Sequence, residues 1–283
     1  MRDHYRQLLL LPPYFYLVVF FILPVIIILL ISLGLWGAGG RPADGMTLEN
    51  YQRILDPLYF NVLVRSVGYA LTATLLCLGL GFPLAYTMSF ATPRTRALLM
   101  VLVLVPFWTN FLVRIFAWLT ILGRQGLING FLLWTGIIHE PLQLLHTPGA
   151  VILGLTYGEL PFMVLPIVAA LDRMDHSLLE AATDLGASRS QAFQRVAVPL
   201  SLPGVIAGCI FVFIPSVGSF VVPDILGGRG SFMIGNVIKN QFMTVRDWSF
   251  GSALSMILML LVLLAMSLYL RQGRKPAEIG SYL

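Results

Sequence analysis

At 283 residues, with 58% hydrophobic side chains and only 11% charged ones, the chain carries roughly half the charge of an ordinary soluble domain, which excludes water as its main solvent. The formal net charge of +5 is spread along the chain rather than gathered into a basic, aromatic-laced stripe, so no nucleic-acid partner is expected. Cys77 and Cys209 lie singly in apolar stretches without CxxC or Cys/His spacing, which leaves them as small packing residues rather than a metal site or a disulfide framework.

A membrane-crossing helix needs about 20 apolar residues. Gln7 to Gly40 is the first window between charges long enough; it exceeds a signal-peptide core and lacks a small-residue cleavage pattern before Arg41, so it reads as a retained first span. Met46 to Val64 follows as a largely amphipathic outer helix, with Thr47 or Asn50 as possible caps. Ser66 to Pro93 is the second span, and Ala97 to Val113 the third, extended if Arg114 snorkels at its far end. Gly123 to Thr147 alternates polar and apolar residues and suggests outer loops with an interfacial helix. Pro148 to Leu171 is the fourth span, Val196 to Pro223 the fifth and Trp248 to Leu270 the sixth. The predicted fold is therefore an all-α integral membrane protein with six transmembrane helices and one transmembrane domain over 1–283. Prolines and glycines inside the spans are compatible with this, because neighbouring helices satisfy the freed backbone groups.

An even number of spans puts both termini on one side. Ten of the eighteen basic residues lie inside if that side is the cytoplasm, and the Arg94/Arg96 turn and the Arg271 to Lys275 tail closely flank spans. Cytoplasmic termini are the expectation.

Between the fourth and fifth spans, over residues 172–199, the chain turns polar. Ser177 followed by Glu180 is a capping box, Gly186 supplies a left-handed end to that helix, and Ser188 followed by Gln191 is a second capping box before Pro199. Two short capped helices result, with Ala181 and Ala182 leaving a bare patch where another protein can approach closely. Pattern alone leaves open a well-formed surface loop without a partner.

The spacing Glu180-Ala181-Ala182, Gly186 and Val196-x-Val198-Pro199 resembles the EAA loop of permease subunits in binding-protein-dependent ABC importers, with valines where the family usually has isoleucine and leucine. The resemblance covers about residues 61–270. It implies a type I ABC importer permease fold in a bacterial inner membrane. It makes 172–199 a cytoplasmic coupling loop, with Glu180, Ala181, Ala182, Asp184, Gly186, Ala187 and Ser188 against an ATPase. Partners are implied as well: a cytoplasmic ATPase dimer, a second similar permease in a heterodimer, and a periplasmic substrate-binding protein. Pro106-Phe-Trp-Thr-Asn110, Arg114 to Trp118, Leu160 to Pro166 and Pro215 to Gly228 resemble the spermidine/putrescine branch, whose wider relatives handle opines, amino-acid derivatives or ferric iron.

The two lysines, Lys239 and Lys275, follow Ile238 and Arg274, so neither is a phosphate-loop lysine; ATP and Mg belong on the partner ATPase, and this chain is expected to bind no cofactor. The four histidines form no metal pair, and no nucleophile–base cluster argues for an enzyme. Glu159 is the one acidic residue inside a span, ~17 Å from Pro148 and close to the bilayer midplane. A charge there is costly and marks a functional site by default. It is assigned to the substrate pathway, with Tyr157, Trp108 and Trp118 as cation-π faces, and Asn110 beside them. The alternatives are a protonated or hydrogen-bonded glutamate in a helix interface, and aromatic belts at the membrane surface. Pro161 and Pro166 either let this helix bend or fix a kink. Asp224 and Arg229 are outer-face contacts or solvated loop charges. An ion-coupled transporter is the other class to weigh, but its broken helices around intramembrane charges would have only Glu159 to serve.

Overall fold

The structure, a computed structural model, describes residues 12–35, 45–175 and 177–273, with backbone alone at 229 and 268–273. Among the described residues every regular element is helical, as the composition predicts. The helices are α1 (Pro12–Ser32), α2 (Glu49–Ile54), α3 (Pro57–Ser89), α4 (Pro93–Trp108), α5 (Phe111–Leu122), α6 (Leu127–Trp134), α7 (Pro148–Leu171), α8 (Ser177–Asp184), α9 (Arg189–Gly218), α10 (Val221–Leu226), α11 (Ile234–Asn240) and α12 (Trp248–Gly273). Among the described residues, six segments are long and apolar enough to cross a membrane. Arg2, His4, Arg6, Arg41, His176, Arg274 and Lys275, and the ends of the Gln7 to Gly40 window, lie outside the described residues.

The third span differs from its sequence reading. The helix within Ala97 to Val113 stops at Trp108, because Thr109 turns extended and Asn110 starts a new helix by accepting the Leu112 amide at 2.8 Å. α4 has 16 residues, so the long apolar segment is Phe111–Trp134 instead, interrupted at Gly123–Gly126. Arg114 is consequently in the first turn of α5 rather than at the far end of the third span. The outer amphipathic stretch also divides: α2 is a short helix whose start is met by Thr47 Oγ1 accepting the Glu49 amide at 3.1 Å. Asn50 is no cap; it is buried and donates to the Ser32 carbonyl at 3.1 Å. Asp56 accepts the Leu58 amide at 2.8 Å and Pro57 then opens α3, a position where its missing N–H costs nothing.

Two compact units are described separately. The first comprises Met1–Asn61 and Val237–Leu261. Its centre is Phe250, fully buried, with Tyr59 edge-on at 4.7 Å and the Arg53 guanidinium 4.1 Å over the ring; Arg53 also pairs with Asp247 at 2.9 Å. The second comprises Val62–Asn236 and Val262–Leu283. Here α7 is the central helix: Met163, Val164, Ile167 and Leu171 are wholly buried, and α9 packs along it.

Two glycines on α9 explain that closeness. A Cβ on Gly204 would meet the Pro166 carbonyl oxygen and the Ala170 Cβ at 2.5 Å, and one on Gly208 would meet Met163 Sδ at 2.8 Å and its carbonyl oxygen at 3.1 Å. Gly204-x-x-x-Gly208 is thus a small-residue stripe that lets two membrane helices touch backbone to backbone, where lipid offers no hydrophobic drive. Gly208→Leu is expected to destabilise the fold by about 1–3 kcal/mol, since the Met163 backbone cannot yield. A lowered midpoint for heat-induced aggregation of the detergent-solubilised complex measures it, and an unchanged midpoint shows the stripe to be incidental.

Candidate functional site

The polar segment is built on the ends of three long helices. The Asp172 carboxylate, just past α7, accepts the Arg96 guanidinium of α4 and the Ser89 hydroxyl at the end of α3. Asp175 then starts α8, its carboxylate accepting the Ser177 amide at 2.9 Å and its carbonyl the Leu178 amide at 3.1 Å. Ser177 therefore occupies the first helical turn and Asp175 does the capping, in place of the Ser177/Glu180 box the spacing predicts. The next expectation holds: Gly186 has φ +88°, the Ala187 amide donates to the Ala182 carbonyl at 3.0 Å and the Gly186 amide to Thr183 at 2.9 Å, a complete Schellman end. Ser188 and Gln191 make both bonds of a capping box, at 2.9 and 3.3 Å.

The second short helix does not end where the sequence reading places it. It runs without a break into the fifth span as α9, loosened to a π-turn at Phe193–Ala197. Pro199 is the cause, because it offers no N–H and its ring crowds the carbonyl four residues back. Phe193 meets the rings of Phe82 at 5.8 Å and Tyr86 at 5.0 Å, both edge-on, so the segment is anchored on α3. Glu180, Ala181, Asp184, Gly186 and Ser188 are exposed, Ala182 and Ala187 partly so, and Leu185 is 89% exposed.

Within the spans, α7 carries Tyr157 and Glu159. Tyr157 meets Trp118 of α5 edge-on at 5.4 Å, so the fold brings together two of the aromatics the sequence nominates. Trp108 ends α4 with its ring 82% exposed, and Asn110 is occupied as the α5 cap. Glu159 is half-buried; its Oε2 is buried and without a hydrogen-bond partner among the described residues. Beside it, Tyr157, Leu160 and Pro161 join Leu99, Val103 and Phe107 around an apolar cavity of about 360 Å³. α7 passes unbroken through Pro161 and Pro166. Asp224, on α10, accepts a hydrogen bond from Asn236, whose amide group also donates to the Phe220 carbonyl at 2.9 Å and accepts the Met233 amide at 2.9 Å. Asn236 thus organises the turn after the fifth span, and no periodic signal marks it. The Arg229 side chain lies outside the described set. No group of three metal-ligating side chains occurs among the described residues.

Residues 77–276 match the family described as "Binding-protein-dependent transport system inner membrane component". The chain belongs to that family. Its relatives include the spermidine/putrescine transport system permease protein PotB of Escherichia coli (strain K12), 49% identical over 228 residues, which span 81% of this chain and 83% of that protein. PotB of Haemophilus influenzae is 45% identical over 229 residues, 81% of this chain and 80% of that one. The inner membrane ABC transporter permease protein YdcU of E. coli is 32% identical over 242 residues, 81% and 76% of the two chains. Among solved structures, a bacterial alginate ABC transporter superposes over 96% of this chain and 95% of that chain at TM-score 0.75 and 17% identity. The methionine ABC transporter MetNI does so over 77% and 97% at TM-score 0.59, also at 17% identity; both establish the fold. This permease is accordingly a multi-pass inner-membrane subunit of an ABC importer.

Proposed function

We propose that this permease forms one half of the translocation path of an importer for spermidine, putrescine or a closely related polyamine. The observation that carries the substrate class is the 49% identity to a spermidine/putrescine permease over 81% of the chain. The intramembrane cluster supports it: a buried carboxylate oxygen on Glu159, with Tyr157 and Trp118 paired on the same helix neighbourhood, offers an ammonium group both a charge and aromatic faces.

The segment from Ser177 to Pro199 docks on a cytoplasmic ATPase dimer, which holds ATP and Mg and does the hydrolysis. A capped α8 with Ala181 at its surface and Leu185 projecting suits burial in a groove of another protein, and Phe193 and Asp172 pass its displacement to α3, α4 and α7. A second, similar permease completes the pore, a periplasmic binding protein delivers the cargo, and both termini face the cytoplasm.

Reconstituted with these partners in liposomes, the complex is expected to accumulate putrescine only with ATP inside and loaded binding protein outside. Accumulation driven by a proton or sodium gradient without ATP would overturn this reading. Transport restricted to an opine or ferric iron would leave the ABC assignment standing and reject the polyamine.

A further inference from the structure

Arg114 stands one turn into α5, where the chain has just restarted after the break at Asn110. Its guanidinium carbon lies 4.5 Å from the centre of the Phe107 ring, at the end of α4, and 5.7 Å from that of Phe111. Phe107 in turn meets Phe162 edge-on at 5.6 Å. Phe162 is three residues from Glu159, so the two share a face of α7. Aromatic contacts thus carry Arg114 from the α4–α5 junction to the face of α7 that bears Glu159.

The hydrogen-bonding state of this pair is unusual for buried charges. Nε and Nη1 of Arg114 and Oε2 of Glu159 are all buried, and none has a hydrogen-bond partner among the described residues. Buried charges are costly and are ordinarily hydrogen-bonded to a partner. A guanidinium is weakly hydrated and rests on aromatic faces, so Phe107 and Phe111 hold Arg114 by its face while Nε and Nη1 stay uncommitted. The Oε2 of Glu159 is equally uncommitted, so an arriving donor can take it without displacing a partner.

We infer that Arg114 is the resident counter-cation of Glu159, a specificity-determining residue that limits how long an ammonium group is held in the translocation path. The inference rests on the reading of Glu159 as the ammonium contact. An empty path then carries a compensated pair rather than a bare charge. An arriving ammonium takes the free Glu159 oxygen while Arg114 stays on Phe107, and the repulsion between the two cations lets the cargo leave again. A site in a path must bind weakly enough to release as well as strongly enough to admit.

The test is a double-mutant cycle on maximal ATP-driven putrescine uptake in the complete reconstituted complex. E159Q and R114Q are each expected to lower the rate about tenfold, E159Q by losing the cargo contact and R114Q by holding cargo too long at an uncompensated carboxylate. With both changes the rate stays at that of E159Q alone, because Arg114 acts only through Glu159. R114K, which keeps the cation, stays within about threefold of the unmodified protein. A double variant roughly a hundredfold down overturns the inference and leaves the Glu159 reading intact, as does R114K falling as far as R114Q. Unchanged uptake in E159Q sinks the Glu159 reading, and this one with it. If R114Q does not assemble, R114K and the double variant decide alone: a double variant tenfold below E159Q, or an impaired R114K, overturns it.

Discussion

Glu159→Gln is expected to lower maximal ATP-driven putrescine uptake about tenfold while the complex assembles in normal amounts. Glutamine keeps the shape of the side chain and its ability to hydrogen-bond, and removes only the charge. A glutamate that merely packs between helices, or bonds to a neighbour as a neutral acid, tolerates that exchange. A carboxylate that meets an ammonium group does not, because a hydrogen bond to a charged partner contributes about 1.5–3 kcal/mol, against about 1 for a neutral one. The difference, about 0.5–2 kcal/mol, corresponds to roughly 2- to 30-fold in rate, and tenfold lies within that range. The effect belongs in the maximal rate, since the soluble binding protein sets the concentration at which uptake saturates. Unchanged uptake would return Glu159 to a packing role and leave the Tyr157–Trp118 pair as the remaining polar-aromatic feature of the path.

The parts of this fold that were legible in the sequence are those governed by local rules. Apolar runs, uncharged except for Glu159 in α7, located α1, α3, α7, α9 and α12, since a span needs little more than length and hydropathy. The Gly186 helix end and the Ser188/Gln191 box were legible because each is decided within a few residues. The third span departs from the sequence reading because no charge interrupts Ala97 to Val113, whereas the break is made by one polar side chain, Asn110, capping the next helix. Ser177 is not the cap because Asp175, two residues earlier, takes the Ser177 amide that the Glu180 carboxylate would accept in a capping box. Gly204-x-x-x-Gly208 is legible as a small-residue spacing, but the helix it meets, α7, is set only by folding. Nothing local pointed to the surroundings of Arg114 or Asn236, which are set by groups brought near only by folding: Phe107 and, through it, Phe162 for the first, Phe220 and Asp224 for the second.

Gly186→Val is expected to reduce import per ATP hydrolysed about fivefold or more, with the protein still in the membrane. The cause is backbone alone. Gly186 sits at φ +88°, where a β-branched residue is strained by about 1–2 kcal/mol, yet a Cβ there would meet nothing within 4 Å, so no packing is lost. Relief of that strain requires the turn to open, which releases the carbonyls of Ala182 and Thr183 from the Ala187 and Gly186 amides. The end of α8 then unwinds and Ala181, Ala182 and Asp184 lose their fixed relation to α9, whose Phe193 packs against Phe82 and Tyr86 of α3. Hydrolysis on the partner continues, but its stroke is no longer delivered. Gly186→Asn separates this from a loss of contact, because asparagine tolerates the left-handed conformation and is expected to keep coupling close to normal. Parallel measurement of phosphate release and putrescine uptake in the same liposomes reads the ratio directly. A valine variant that couples normally would show Ser177 to Pro199 to be ordinary surface, and an asparagine variant as defective as valine would place the requirement in the bare glycine surface rather than in its backbone.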